Sequence, residues 1–103
     1  MNRQLQVIAG LDRVIHEPGR LMIVALLAGV EECDFGFMMR QTEMSKGNLS
    51  CHLSRLEKAG YIEIEKTYRG KVPLTLLRLM PAGQAAFEKY LHDLDSMRPG
   101  DAS

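Results

Sequence analysis

The 103-residue sequence contains no tryptophan, few other aromatics and just two cysteines, Cys33 and Cys51. Two thiols cannot build a disulfide framework, nor a four-ligand metal site by themselves. The longest apolar run, Leu21 to Val30, falls short of the roughly 20 residues that span a bilayer. The N-terminus, MNRQLQVIAG, has no uninterrupted hydrophobic stretch with a cleavage site, so no secretory signal is read there. Internal repeats, low-complexity tracts and Pro/Ser linkers are absent too. The expectation is one cytoplasmic domain over residues 1–97, with no membrane contact. The tail 98–103, Arg-Pro-Gly-Asp-Ala-Ser, has the composition of a frayed end.

Net charge is also missing, since 13 basic residues balance 13 acidic ones. Its distribution says more than its sum. Between Arg40 and Arg78 eight basic residues face four acids, a surplus of +4, and the remainder carries the compensating −4. The 46% hydrophobic and 25% charged content is near the globular average and supports one core.

Periodicity divides the chain into five helices and a hairpin. From Arg3 to Ile15, Val7, Ile8, Leu11, Val14 and Ile15 share an arc of about 120° at 100° per residue, which predicts a first amphipathic helix. Pro18 suits the first turn of a second helix over about 18–29, apolar all round and therefore central, with Gly29 as its stop. Asp34 can cap a short helix from Phe35 to about Gln41, and Ser45 a longer one over 46–59 that Gly60 closes. At Ile62-Glu63-Ile64-Glu65 the period becomes 2, the pattern of a half-buried strand. Arg69-Gly70-Lys71 reads as a tight turn, and Val72 to Leu79 as the returning strand, with Pro73 suited to an edge. Pro81-Ala-Gly then opens a last helix to about Met97.

A short helix, a turn and a longer helix followed by a basic hairpin can present one helix to DNA. On 46–59 the inner face is Leu49, Leu53 and Leu56, while Gly47, Asn48, Cys51, Ser54, Arg55 and Lys58 lie nearly opposite. Ser50 and His52 fall on the flanks. Short side chains permit close approach to a major groove, where Asn48 can pair with an adenine edge and Arg55 with guanine or a phosphate. Ser45, Lys46 and the free N–H groups of the first turn can hold a phosphate. Arg69, Gly70 and Lys71 at the hairpin tip can reach a minor groove. A solvated helix face and a solubilising turn are the bland alternatives for each feature alone; their succession at this spacing outweighs them.

The stretches LDRVIHEPGRLMIVALLAG, DFGFMMRQTEMSKGNLSCHLSRLEKAGYIEIEKTYRGK and RLMPAGQAAFEKYLHDL resemble the compact winged helix-turn-helix regulators of the MarR/ArsR type. The resemblance runs from Leu11 to Leu94, and NLSCHLSRLEKAGYIEIEKTYRGK is its most specific part. It implies a mainly α fold, five helices with a two-stranded antiparallel wing, and a prokaryotic homodimer that binds double-stranded DNA through 46–59 and 69–71. It further implies a dimer interface on the terminal helices, where Leu5, Ile8, Leu11, Ile15, Phe87, Tyr90, Leu91 and Leu94 are the apolar candidates.

Three features depart from that pattern. Met80 stands where these regulators carry a capping Thr, a loss of roughly 1 kcal/mol. Leu74 and Leu76, in opposite phase to Leu77 and Leu79, give the returning strand a second apolar face. Neutrality lowers non-specific affinity for DNA. The second and third of these support an alternative, a protein-interaction module without specific DNA binding. A positive face joining 46–55 to 69–71 would favour DNA; interruption by Glu63 and Glu65 would favour a protein partner.

Enzymatic function is not expected. His16, His52 and His92 lie on three elements, and no phosphate loop or nucleophile–base spacing occurs. No cofactor or metal is expected, since Cys33 is isolated among acids. Cys51, near Lys46 and Arg55, reads first as a small residue permitting close approach and second as an oxidisable thiol. The methionines suit core filling. The sequence leaves any small-molecule effector open.

Overall fold

The computed structural model describes residues 2–99. Its elements are α1 (Arg3–Ala9), α2 (Pro18–Ala28), β1 (Cys33–Asp34), α3 (Phe35–Thr42), α4 (Lys46–Lys58), β2 (Ile62–Arg69), β3 (Val72–Leu79) and α5 (Pro81–Asp95). Of the expected tail, residues 100–103 lie outside the described part. Among the described residues no helix is long and apolar enough to cross a membrane.

The first helix is shorter than the apolar arc predicts. Gly10 caps α1 at Ala9, and Asp12 then turns its carboxylate onto the Val14 and Ile15 amides, at 2.8 and 3.2 Å. A short acceptor that satisfies nearby N–H groups offers the backbone an alternative to helix. Leu11 and Ile15 are buried regardless, in a turn, where they pack on Tyr90 of α5. Helical periodicity and burial thus coincided without a continuous helix.

The helix starts follow their caps. Glu17 accepts from the Gly19 and Arg20 amides ahead of Pro18 at the first position of α2. Asp34 accepts from Phe37 N, and Ser45 from Asn48 N. At α5, Met80 occupies the cap with no side-chain hydrogen bond, so the expected deficit is present, with Pro81 at the first turn. Helix α3 ends at Glu43, which adopts φ 55°, an uncommon left-handed conformation for a residue other than glycine.

The expected two-stranded antiparallel wing is β2 and β3, and a short β1 adds a third antiparallel strand, in the order β1-β3-β2. Cys33 and Asp34 pair with Leu77 and Leu76, a bridge too short to show as a period-2 pattern. Strand β3 is therefore central at Leu76–Leu77, but Pro73 lies beyond the reach of β1, where β3 is again an edge. The two long strands pair from Ile62↔Leu79 to Arg69↔Val72, leaving Gly70 and Lys71 as the turn; Gly70 takes φ 64°, which a two-residue hairpin needs.

The main core gathers Ile23, Val24 and Leu27 of α2, Met38 of α3, Leu49, Leu53 and Leu56 of α4, Ile62 of β2 and Leu77 of β3. Helix α2 supplies three of these nine, but its all-round apolarity is not matched by all-round burial, since Met22 and Ala25 face solvent. Against this core α4 is fixed in rotation by its leucines, and the same rotation decides what it shows to solvent.

Candidate nucleic-acid interface

Leu49 and Leu56 are fully buried and Leu53 is 2% exposed. At 100° per residue the opposite face of α4 carries Gly47, Asn48, Cys51, Arg55 and Lys58, all exposed. Among the described residues the Asn48 and Arg55 side chains have no hydrogen-bond or ion-pair partner, so both heads are available outward. Ser45 and Lys46 are exposed at the start of the helix, with the Ser45 hydroxyl engaged as cap acceptor at 3.1 Å.

The two flanks of α4 differ. On one side Lys46, Ser50, Ser54 and Glu57 face the hairpin across an open groove of about 800 Å³ that Ile64, Lys66 and Thr75 close from the wing. On the other side His52 turns toward α2. Its Nδ1 lies 3.2 Å from Arg20 Nη1 and 3.3 Å from Glu17 Oε2, and its ring sits against Gly19. His52, expected on a flank of the helix as a candidate DNA contact, lies on that flank and is engaged in a clamp between α4 and the start of α2. Partial burial pushes the Glu17 carboxyl up, but the Gly19 and Arg20 amides and the His52 and Arg20 charges outweigh it, holding it below the usual range.

A second brace seats the sheet. The Tyr61 hydroxyl donates to Asp12 Oδ2 at 2.5 Å, and that bond, with burial and the neighbouring negative charge, pushes the phenol up to about 12. Burial and Asp34 push the Cys33 thiol up, away from the reactive range. Among the described residues no three His, Cys, Asp or Glu side chains converge as metal ligands.

Glu63 and Glu65 do not interrupt the face between α4 and the wing. The strand period puts them on the far side of β2 from Ile62 and Ile64, and there Arg78 collects them together with Glu32, at 2.7, 2.6 and 2.9 Å. The bonds to Glu65, Glu32 and Glu63 hold the Arg78 guanidinium above even its usual high value. Leu74 and Leu76 are half-buried rather than an open apolar patch. The exposed apolar residues of the hairpin are instead Tyr68 and Val72, beside the tip formed by Arg69, Gly70 and Lys71.

The terminal-helix candidates separate into two groups. Leu11, Ile15 and Tyr90 are buried inside one chain, with Phe87 and Leu94 half-buried against them, so this part of the apolar arc is used by the monomer. Leu5, Ile8 and Leu91 remain about half exposed, and α1 buries no residue at all. A hydrogen bond from Gln4 Nε2 to Met97 O, 3.3 Å, holds α1 beside the end of α5. Sequence periodicity could not make this division for Ile8 and Leu91, because each shares the apolar arc of its own segment with residues that are buried.

The family model described as a winged helix DNA-binding domain matches residues 20–97. An uncharacterized protein of Methanocaldococcus jannaschii is 31% identical over 83 residues, covering 80% of this chain and 89% of its own. Among solved structures, a transcriptional regulator homologue from Pyrococcus horikoshii OT3 superposes with a TM-score of 0.83 at 22% identity, covering 92% of this chain and 93% of the other. The transcriptional repressor BigR from Xylella fastidiosa gives 0.62 at 23% identity, with coverages of 95% and 94%. A MarR-family regulator from Silicibacter pomeroyi gives 0.66 at 14% identity, covering 96% and 71%. At those identities the structural likeness speaks to fold alone; the family match spans three-quarters of the sequence, and the chain belongs to the winged helix DNA-binding domain family, with the fold of the MarR-type regulators.

Proposed function

We propose that this protein is a sequence-specific transcriptional regulator that binds double-stranded DNA as a homodimer, with α4 in the major groove and the tip Arg69-Gly70-Lys71 at the minor groove. The carrying observation is the rotation of α4, with three leucines inside and Asn48, Cys51 and Arg55 in solvent. A helix whose outermost side chains, Gly47, Asn48, Cys51, Arg55 and Lys58, are short, polar or cationic, with its one carboxylate, Glu57, displaced to the wing flank, fits a groove lined with acceptors and bordered by phosphates. The location of Glu63 and Glu65 on the far face of the hairpin favours DNA over a protein partner on this side. Ser45, Lys46 and Gly47 at the helix start supply phosphate contacts, Asn48 and Arg55 base or backbone contacts, and Ser50 and Cys51 close approach. His52 positions the helix through α2.

Leu5, Ile8 and Leu91 supply the exposed apolar part of the subunit contact, with Leu94 and Phe87 behind them. Two copies would set their α4 helices one turn of DNA apart, about 34 Å. Such a regulator works beside the chromosome, in the cytoplasm. The test is selection from random duplex DNA at about physiological salt, with the oligomeric state measured in the same sample. Enrichment of a pseudo-palindrome with half-sites about 10 bp apart is expected. Failure to enrich any sequence, with binding indifferent to salt, would refute the reading.

A further inference from the structure

An open depression of about 390 Å³ lies on the side of α4 away from the wing, lined by Arg13, Val14, Arg20, Arg55, Lys58 and Ala59. Four of its six lining residues are cationic and none is acidic. Arg20 is distinct from the other three, being 8% exposed. Its guanidinium donates inward to the Val14 and Arg13 carbonyls, at 2.5 and 3.4 Å, and lies 3.5 Å from Glu17. It therefore fixes the strap that carries Arg13 rather than facing the depression with a free head. Arg13, Arg55 and Lys58 are exposed, and no carboxylate of the described residues pairs with any of them. Like charges converging on one concave surface repel, and an anion seated between them relieves that repulsion.

We infer that Arg13, Arg55 and Lys58 form a binding site for DNA backbone phosphate on the strand opposite the one met by the wing. The inference rests on the DNA-binding reading above and extends it beyond the helix-turn-helix and hairpin. A helix in the major groove has a phosphate backbone on each side, across a width of about 12 Å. The wing flank of α4 offers Lys66 to one backbone, across the groove that Lys46 and Ser50 share. The opposite flank offers Arg13, Arg55 and Lys58 to the other. On this assignment Arg55 holds the backbone, which leaves Asn48 as the base reader on that side of the helix.

The experiment measures Kd of the full chain for its selected duplex and for an unrelated duplex across a salt series. For wild type, log Kobs falls linearly with log salt. Arg13→Ala makes that slope shallower by about 0.9, the value of one phosphate contact, and weakens both duplexes by the same factor. Lys58→Ala does the same, and Arg13→Lys restores most of the slope. Arg13 is exposed, so its variants keep the wild-type Tm. Slopes that coincide for wild type and Arg13→Ala would overturn the assignment, as would a loss confined to the selected duplex. Inorganic phosphate is the control for a free-anion site. If it raises the Tm of wild type but not of Arg13→Ala while the DNA slopes coincide, the depression serves a small anion and the inference fails. Absence of salt-dependent DNA binding by wild type would instead remove the underlying DNA reading, a distinct result.

Discussion

Gly83→Ala tests how α5 is seated against the base of the wing. Gly83 lies in the first turn of α5 and is buried. A Cβ built there overlaps the Tyr61 carbonyl oxygen and comes within 2.7 Å of Leu79 Cδ1. The carbonyl has little freedom to retreat, because it accepts from Met80 N at 2.9 Å. Alanine within a helix would ordinarily gain about 0.5–1 kcal/mol over glycine. Against that gain stand overpacking, about 1–3 kcal/mol, and a weakened hydrogen bond, about 0.5–1.5 kcal/mol. The balance is a loss of about 2 kcal/mol, a drop in Tm of about 8–16 °C for a domain of this size. Gly47→Ala is the counterpart: nothing stands within 4 Å of its added Cβ, so stability should hold or rise by up to about 1 kcal/mol. Thermal unfolding followed by circular dichroism, with denaturant midpoints at unchanged m, measures both. If Gly83→Ala melts at or above wild type, the close approach of α5 to Tyr61 is wrong.

Asn48→Ala should cost about 1–3 kcal/mol on the selected duplex and relax preference at one base, read by repeating the selection; equal losses on all sequences would reassign Asn48 to the backbone. Lys71→Ala should weaken every duplex alike and lower the salt slope by about one; a base-specific effect would contradict the wing's placement. Ile8→Glu combined with Leu91→Glu should leave the fold intact, since both positions are about half exposed, yet yield monomers in sedimentation at micromolar concentration; persistence of dimers would move the subunit contact elsewhere. Glu17 has a folded pKa below its unfolded value, so its contribution to stability is complete above about pH 5 and declines as pH falls through the lower folded value. Glu17→Gln should therefore lie below wild type at neutral pH and converge with it in acid; parallel stability curves would show that the His52 clamp contributes nothing ionic.

Much of the architecture was legible because the relevant signals are local. Asp34, Ser45 and Pro81 mark helix starts through bonds that span three residues or through a missing N–H. The leucine spacing of α4 and the Ile/Glu alternation of β2 likewise reveal which face turns inward. Where the reading failed, a distant partner decided. The arc from Val7 to Ile15 looked like one helix, yet what its Val7, Leu11 and Ile15 share is a cluster around Tyr90, 75 residues after Ile15, while Val14 packs on the main core and Ile8 stays half exposed. Gly10 and Asp12 broke the helix without disturbing that burial. The bridge of Cys33 and Asp34 to β3 was invisible because two residues carry no period.

The interface divides in the same way. By itself the sequence determined the element order, the α4 leucine face and the polar composition opposite it, since those follow from residue type and helical pitch. Tertiary structure decided three things. Glu63 and Glu65 are gathered by Arg78 on the far side of the hairpin, His52 is engaged by Glu17 and Arg20, and Arg13 is carried from the acidic part of the sequence to the flank of α4. Each depends on which surfaces meet, and electrostatic interaction follows distance in space, which position along the chain does not specify.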